Sequence, residues 1–234
     1  MKVLLIGSNG RMGKQMQNYM TQNKIDFLAV DKQNFDAVFE SDFDVIVDFS
    51  TADALKQNLD LALKKNKPIL IATTNHNSKN EHMIERASKH IAIAVCPNLS
   101  VGIMTVCKMV EQLKAVSNYD FVVSEIHHKN KLDSPSGTAK QLIKVLNKLG
   151  ITPTVNSVRA GSIVGTHSIT AYGLNEVIEI KHIALSRDCF CEGALSVCNK
   201  LVNKQAGSFS IGDLIWLYAN LAVRPLPQNK QLKM

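Results

Sequence analysis

A cluster of cationic side chains lies directly before the predicted start of a helix, in residues 125–138, which read EIHHKNKLDSPSGT. His127 and Lys131 are of the types that transfer protons in enzymes. Ser136, Gly137 and Thr138 would begin the helix, where backbone N–H groups and hydroxyls bind a carboxylate. The stretch therefore predicts a site where an anionic substrate receives a proton.

Two other interpretations of this stretch stay open. A solvated basic loop in front of a capped helix is the default for any string of this composition. Contact with nucleic acid by the same side chains is the third interpretation, although no aromatic residues for stacking on bases are interleaved with them.

A glycine-rich segment, GSNGRMG at residues 7–13, follows the first predicted strand and opens the first predicted helix. Small residues here let the backbone approach a pyrophosphate, and the helix N-terminus supplies N–H donors. The same spacing also occurs in tight turns that bind nothing, so the neighbouring residues must show whether this segment binds a ligand. Asp31 ends the second strand, where a carboxylate binds the ribose 2′-OH of NADH, whereas Lys32 suits the 2′-phosphate of NADPH. The prediction is NADH and/or NADPH.

Three more predicted strands end in polar loops. These loops are Asp48-Phe49-Ser50-Thr51, Ala72-Thr73-Thr74-Asn75 and Cys96-Pro97-Asn98-Leu99-Ser100. Ligands of open parallel sheets sit outside the carboxyl ends of the strands. Each loop alone is an ordinary turn, but together they favour a dinucleotide site.

The elements that must position these residues alternate in the first half of the chain. Short continuous apolar runs, separated by helical segments, are typical of a parallel sheet buried on both faces. Beyond Pro97 the strands become longer and alternate polar with apolar residues, as in antiparallel sheets, and helices are predicted over residues 102–117, 137–149 and 193–204. The predicted fold class is α/β: a Rossmann-type doubly wound parallel sheet with a second α+β domain that carries a mostly antiparallel sheet. The predicted domains are 1–98 with 208–234, which binds dinucleotide, and 99–207, which binds substrate and mediates oligomerisation.

Composition and charge exclude several classes of protein. The 234 residues are 45% hydrophobic and 20% charged, which is ordinary for a globular protein. The formal net charge of +7 suits anionic partners but selects none of them. Five cysteines without a CxxC pair predict reduced thiols in a cytoplasmic protein and no metal site. We expect no membrane partner and no secretion, because the sequence has neither a long apolar run nor a signal segment.

At this point the sequence resembles a known family, the 4-hydroxy-tetrahydrodipicolinate reductases (dihydrodipicolinate reductases) of lysine and diaminopimelate biosynthesis. The string EIHHKNKLDSPSGTA is similar to the signature of that family. The resemblance extends over GSNGRMG, VDFST, ATTN, CPNLSVG, RAGSIVGTH, HIALSRDCFCEGAL and FSIGDL, in family order. It implies reduction of a carbon–carbon double bond by NAD(P)H after loss of water, in a cytoplasmic homotetramer built through the second sheet.

The resemblance also implies roles for single residues. His127 matches the catalytic proton donor/acceptor and Lys131 the catalytic lysine, while His128, Gly137 and Thr138 match positions that hold the carboxylates of a small dicarboxylate substrate. The implied cofactor contacts are Gly7, Ser8, Asn9, Gly10, Arg11, Met12, Asp31, Ala72, Thr73, Thr74, Cys96, Pro97, Asn98 and Leu99, and Lys32 joins them by its position.

Other residues and other functions remain alternatives. His167, His182 and Arg159 are expected to be structural, with Arg159 in an ion pair. The nearest rival function is that of a two-domain dehydrogenase of an amino-acid semialdehyde, whose site would not be the cationic stretch. An NADH-sensing regulator that binds DNA through its positive charge is the rival from another class, but no recognition helix is evident and no nucleic-acid partner is expected.

Overall fold

The computed structural model describes residues 1–74 and 76–215, without the side chains of residues 36 and 37. These residues form two β-sheets, each covered by helices. Asn75 of the predicted polar loop 72–75, and residues 216–234 of the predicted first domain, lie outside the described residues. Among the helices in the described part of the chain, none is both long enough and apolar enough to cross a membrane.

The first sheet has six parallel strands in the order β10-β5-β4-β3-β1-β2. The strands are β1 (Val3–Ile6), β2 (Phe27–Val30), β3 (Val45–Asp48), β4 (Ile69–Ile71), β5 (Ala92–Val95) and β10 (Gly207–Phe209). The central strands β1, β3 and β4 are buried at every position. Continuous apolar runs occupy them because helices cover both faces.

Two apolar layers enclose this sheet. The helices around it are α1 (Arg11–Gln22), α2 (Leu55–Lys65), α3 (Ser78–Ser88) and α6 (Asp188–Leu201). One layer contains Met16 and Met20 of α1 with Val197 of α6. The other contains Leu59 of α2 and Ile84 of α3. Short 3₁₀ helices at Phe35–Glu40 and Ala52–Ala54 complete this part of the chain.

The second sheet has the order β7-β6-β8-β9, and only the β6–β7 pair is parallel. Its strands are β6 (Asp120–His127), β7 (Thr154–Arg159), β8 (Gly165–Tyr172) and β9 (Val177–Ala184). Two helices, α4 (Val101–Glu111) and α5 (Gly137–Lys148), pack on one face, and a 3₁₀ helix, Gln112–Val116, follows α4. Burial alternates along β6 and β8, as a one-sided sheet requires.

The covered face of the second sheet is apolar at one end of the strands and polar at the other. Its far end is apolar, with Phe121, Val123 and Ile169 packed against α4 and α5. The end near the starts of α4 and α5 is polar, because Glu125, His127 and His167 are buried there. The same alternation that builds the core thus brings these three side chains under the two helix N-termini.

The predicted fold class is confirmed, with differences in detail. Strand β10, the short helix α7 (Ile211–Ile215) and α6 all lie against the first sheet or its apolar layer. Helix α6 falls within the predicted second domain, 99–207, and begins five residues before its predicted start at Gly193. Its small buried residues, Cys191, Ala194 and Cys198, allow a close approach to the parallel sheet. The proposed domain boundaries therefore need to place α6 with the first sheet.

Gly193 lets α6 pass close to the loop after β5. A Cβ at this position would lie 1.8 Å from the Leu99 carbonyl oxygen. We therefore expect Gly193→Ala to lower the free energy of unfolding by about 2 kcal/mol or more in urea titrations, since overpacking against backbone outweighs the helix propensity of alanine. The control is the helical Gly212→Ala, whose Cβ would have only an ordinary contact, 3.5 Å from Ser210 Oγ. Equal stability of the two variants would contradict this packing.

Candidate active site

The glycine-rich loop is shaped by close backbone contacts. Gly7 has a φ of +82°, and a Cβ there would lie 2.7 Å from the backbone of Phe49. At Gly13 a Cβ would lie 2.2 Å from the Gly7 carbonyl oxygen, so α1 packs directly on the loop. Helix α1 begins after Gly10 without a side-chain cap from the described residues. Its first N–H groups are thus available to an anion.

Asp31 lies at the end of β2, beside this loop. Its carboxylate accepts hydrogen bonds from the Asn9 amide and from the backbone N–H of Gln33, the latter at 2.8 Å. Lys32 is exposed next to it. The loop and the acidic residue that the sequence pairs with it are therefore in contact, and the lysine is free to turn towards the same ligand.

The ends of β1, β3, β4 and β5 follow one another along one edge of the sheet. Backbone hydrogen bonds join them, from Ala72 N–H to the Asp48 carbonyl at 3.1 Å and from Cys96 N–H to the Ile71 carbonyl at 2.9 Å. Thr73 is buried and its hydroxyl lies 3.0 Å from His76 Nε2. The loop, Asp31 and these strand ends fit a nicotinamide dinucleotide, because the close-packed glycines and uncapped amides leave the backbone accessible to a pyrophosphate.

Two polar groups at this edge have structural tasks. Asp48 is fully buried and accepts hydrogen bonds from Ser50 N–H and Asn58 Nδ2, each at 2.9 Å. Burial raises the pKa of Asp48 in spite of these bonds. Burial also raises the pKa of the Cys96 thiol to about 12, so this predicted cofactor contact is not a nucleophile.

Backbone hydrogen bonds join the cationic loop after β6 to the turn between β7 and β8. The His127 carbonyl accepts from Ala160 N–H at 2.8 Å, and His128 N–H donates to the Ile163 carbonyl at 2.8 Å. Lys131 is half-buried, and its Nζ lies 2.7 Å from Asp133 Oδ1. The two predicted catalytic residues are thus close in the chain, with His127 at the end of β6 and Lys131 four residues later in the loop.

The N-terminus of α5 faces the same loop. Ser136 caps the helix, because its hydroxyl accepts from Ala139 N–H at 3.2 Å. Gly137 is exposed, and a Cβ there would meet nothing within 4 Å. Thr138 is half-buried. The predicted substrate-binding pair therefore borders open space at a helix N-terminus, where a carboxylate is stabilised.

Asn98 connects the cofactor side to the substrate side. Its Nδ2 donates to Thr138 Oγ1 at 3.1 Å and to Gln141 Oε1 at 3.0 Å, while its Oδ1 accepts from Ser100 N–H at 3.1 Å. Asn98 belongs to the loop after β5, and Thr138 and Gln141 belong to α5. The predicted cofactor loop and the predicted carboxylate site are thus in direct contact.

Glu125 is the residue that the sequence reasoning missed. It is fully buried, and its Oε1 accepts from Arg159 Nη2 at 2.8 Å and from Ser136 N–H at 3.1 Å. Burial raises its pKa, but these donors together with the Ser157 side chain outweigh burial and lower the pKa to about 2. Its Oε2 lies 2.5 Å from His127 Nδ1. The sequence could have indicated this contact, because residues 125 and 127 are two positions apart on one strand and therefore lie on the same face.

Burial lowers the pKa values of the histidines of the second sheet, which favours their neutral forms. Burial lowers the pKa of His127, against the opposing effect of Glu125. Burial also lowers the pKa of His167 to about 4, and its Nε2 lies 3.1 Å from Ser136 Oγ. His182 Nε2 lies 3.5 Å from Ser100 Oγ. His167 and His182 thus contact the caps of α5 and α4, as their predicted structural character requires.

Glu125, His127 and His167 could in principle ligate a metal ion, since each offers one atom and these atoms lie within 4.8 Å of one another. The Glu125 carboxylate already binds the Arg159 guanidinium. A dication would have to compete with that charge, so the geometry does not favour a metal.

Comparison with known proteins decides between the alternatives. The family model described as "Dihydrodipicolinate reductase, N-terminus" matches residues 1–99, and that described as "Dihydrodipicolinate reductase, C-terminus" matches residues 102–215. The chain belongs to the dihydrodipicolinate reductase family. The resemblance inferred from the sequence is therefore confirmed, and with it the assignment to the oxidoreductases of lysine and diaminopimelate biosynthesis.

Curated members of this family match almost the whole chain. The 4-hydroxy-tetrahydrodipicolinate reductase of Thermosipho africanus is 36% identical over 218 residues, with 92% of this chain and 98% of the relative covered. That of Clostridium perfringens is 34% identical over 251 residues, with the same coverage. A solved structure, dipicolinate-bound dihydrodipicolinate reductase from Paenisporosarcina sp. TG-14, has the same fold, with a TM-score of 0.74 at 19% identity over 92% of this chain and 98% of that one.

The low pKa of His167 makes stability depend on pH. The folded protein holds this histidine neutral down to about pH 4, whereas its ordinary pKa is 6.5. The unfolded chain therefore binds more protons between these values, and the free energy of unfolding falls as the pH is lowered from 6.5 to 4, by on the order of 2–3 kcal/mol.

We expect His167→Gln to flatten this pH dependence in urea titrations at pH 7, 6, 5 and 4. His82→Gln, at an exposed position on α3, is the matched control and should leave the slope as in the parent protein. An unchanged slope in His167→Gln would show that other groups cause the dependence.

Proposed function

We propose that this chain, in the cytoplasm, reduces 4-hydroxy-tetrahydrodipicolinate to tetrahydrodipicolinate with loss of water, at a site formed by the cationic loop and the N-terminus of α5. The observation that carries the proposal is the pair of hydrogen bonds from Asn98 to Thr138 and Gln141. They hold the loop that would face the nicotinamide against the residues that would hold the substrate. Reduction requires this proximity.

The substrate contacts follow from charge and donor geometry. A dicarboxylate would meet His128, the N–H groups that begin α5 at Gly137, and the hydroxyl of Thr138. Thr138 Oγ1 already accepts from Asn98, which leaves its O–H to donate to a carboxylate. The reductase from Paenisporosarcina has dipicolinate bound, and dipicolinate is a dicarboxylate, which supports the same class of ligand here.

The proton chemistry falls to His127 and Lys131. The dinucleotide supplies a hydride when it is bound. His127 is the proposed proton donor/acceptor, and Lys131 can donate through an ammonium that now pairs with Asp133 at 2.7 Å. Elimination of water moves one proton from the neighbouring carbon to the departing hydroxide, and addition of a hydride to one carbon of the double bond needs one proton at the other carbon. His127 ends β6 and Lys131 lies four positions later in the loop, so both can serve these transfers.

The cofactor contacts are proposed at the positions implied by the sequence. Backbone N–H groups of residues 7–12 would bind the pyrophosphate, and residues 72–74 and 96–99 would border the nicotinamide. Asp31 supports NADH, because its carboxylate can accept from a ribose hydroxyl, whereas exposed Lys32 supports binding of the 2′-phosphate of NADPH. We propose that both dinucleotides are used.

We also propose a homotetramer assembled through the second sheet. The face of this sheet opposite α4 and α5 has no cover within the described part of the chain. Exposed apolar side chains on its strands include Val158, Tyr172, Val177 and Ile183. A second copy would bury them.

The reaction is tested by mixing the protein with NADH or NADPH and the freshly formed condensation product of pyruvate and aspartate semialdehyde. We expect prompt loss of nicotinamide absorbance. A flat trace with intact NADH binding would retain the fold and reject the substrate. DNA affinity that falls steeply with salt would instead support the regulator.

Substitutions separate the proposed catalytic residues from the binding residues. We expect His127→Gln and Lys131→Ala to lower kcat by about 10²–10⁴-fold, with nearly unchanged NADH affinity. Thr138→Ala should chiefly raise KM for the substrate, by about 10-fold, because it removes a hydrogen bond to a charged group. Steady-state kinetics and NADH titrations measure both effects.

Lys129→Ala is the matched control for Lys131→Ala, because Lys129 is an exposed lysine of the same loop. It should retain near-parental kcat. Equal losses in the two lysine variants, or activity that survives His127→Gln, would reject the assigned roles and favour the semialdehyde dehydrogenase.

The assembly is tested by light scattering on a size-exclusion column. We expect the mass of four chains of 25.8 kDa. Elution with the mass of a single chain at micromolar concentration would reject the tetramer.

A further inference from the structure

A buried carboxylate connects three parts of the proposed site. Glu125 has no solvent exposure, and its two oxygens face different partners. Oε1 accepts from the Arg159 guanidinium and from Ser136 N–H at the start of α5. Oε2 lies 2.5 Å from His127 Nδ1. The carboxylate is thus shared between β7, α5 and the proposed catalytic histidine.

The short distance between Glu125 and His127 indicates which nitrogen of the His127 ring carries a proton. Neither Glu125 Oε2 nor His127 Nδ1 has a hydrogen-bond partner elsewhere in the described residues, and the distance of 2.5 Å between them favours a proton on Nδ1. In the neutral ring this proton belongs to Nδ1, and Nε2 is then the unprotonated nitrogen. Nε2 faces Gly165, where a Cβ would lie 3.0 Å away. A side chain at residue 165 would crowd Nε2, and glycine avoids that contact.

Arg159 also donates hydrogen bonds to backbone carbonyl groups of the loop after β6. Its Nη2 donates to the Asp133 carbonyl at 2.6 Å as well as to Glu125, and its Nε donates to the Lys131 carbonyl at 3.3 Å. One guanidinium therefore joins the buried carboxylate to the segment that carries Lys131. A lysine could supply the charge but not this set of directed bonds.

We propose that Glu125 and Arg159 are positioning residues: Arg159 anchors the Glu125 carboxylate and the Lys131 backbone, and Glu125 holds the His127 ring so that Nε2 is the nitrogen that exchanges a proton with the substrate. This inference rests on the proposed role of His127. The charged and titratable groups that surround the ring are Glu125 on β6, Lys131 on the loop, Arg159 on β7 and His167 on β8.

The isosteric variant Glu125→Gln gives a sharp test, because its geometry forces one orientation of the amide. Arg159 and Ser136 both donate to the Oε1 position, so the amide oxygen must stay there. The amide NH₂ then faces His127 Nδ1, which has to become an acceptor. We expect the neutral ring to move its proton from Nδ1 to Nε2.

Nitrogen-15 NMR of labelled histidine reports this change directly, without cofactor or substrate. The His127 signals are assigned by their loss in His127→Gln. We expect the Nδ1–H tautomer in the parent protein and the Nε2–H tautomer in Glu125→Gln. Glu85→Gln, an exposed glutamate on α3, is the control and should retain the parental tautomer. The Nε2–H tautomer in the parent protein, or no change in Glu125→Gln, would overturn the proposal.

Kinetics provide the second readout. We expect Glu125→Gln to lower kcat by about 10²–10⁴-fold with little change in the substrate KM, as loss of the correct tautomer does in other enzymes. Loss of the nearby anion should also shift the His127-dependent limb of the pH profile to lower pH. If Glu125→Gln had a lower melting temperature but parental kcat and the parental His127 tautomer, Glu125 would have only a structural role, and the proposal would be overturned.

Arg159→Lys tests the other half of the pair. We expect kcat to fall by at least about 10-fold, because the lysine cannot bond Glu125 and both loop carbonyls together. Arg86→Lys on α3 is the control. Parental kcat in Arg159→Lys would overturn the role of Arg159. If His127→Gln were fully active, the proposed function would fail, whereas the tautomer measurement would still report on the geometry.

Discussion

A carboxylate with no access to water must be paired, and the pairing of Glu125 organises the whole cationic loop. The free-energy cost of burying a charge is offset only when donors surround it. Here the donors come from β7 and from the first turn of α5, and the remaining oxygen faces His127. A single buried negative charge therefore holds a guanidinium, a helix N-terminus and an imidazole together.

The rest of the architecture brings the N-terminus of α5 to this charge and the N-terminus of α4 to the same end of the second sheet. The sheet alternation puts Glu125, His127 and His167 on the face that α4 and α5 cover, at the end where both helices start. The parallel sheet contributes the loop after β5, and Asn98 of that loop bonds to α5. Neither sheet alone contains the proposed site, because the helix proposed to bind the substrate carboxylate packs on the second sheet and the loop proposed to face the cofactor follows a strand of the first sheet.

Much of the fold could be predicted from short-range patterns. Runs such as VLLI and VIV identify buried parallel strands, since only helices on both faces make continuous burial possible. The short strand β10, GSF, has no such run, and its strand form depends on pairing with β5. The sequence predicts helix α6 but not its contact with the parallel sheet, because small residues such as Ala194 and Cys198 show close packing only when the partner is known.

The proposed site likewise combines residues that the sequence can identify with residues that it cannot. The cationic stretch and the glycine loop could be recognised because each is contiguous in sequence. Glu125 and Arg159 are 34 residues apart, and their pairing depends on the parallel register of β6 with β7. The sequence predicts an ion pair for Arg159 but cannot supply its partner or the link to His127.

The ionisation of Glu125 tests most directly whether this buried charge organises the site. Carbon-13 NMR of side-chain-labelled glutamate, with Glu125 assigned by its loss in Glu125→Gln, can follow the carboxylate from pH 7 to pH 4.5. We predict that Glu125 stays at its ionised chemical shift at pH 4.5, the ordinary pKa of a glutamate, since Arg159 and Ser136 hold its pKa at about 2. A midpoint at or above pH 4.5 would contradict the claim that the Glu125 charge holds the loop, the helix and the imidazole together.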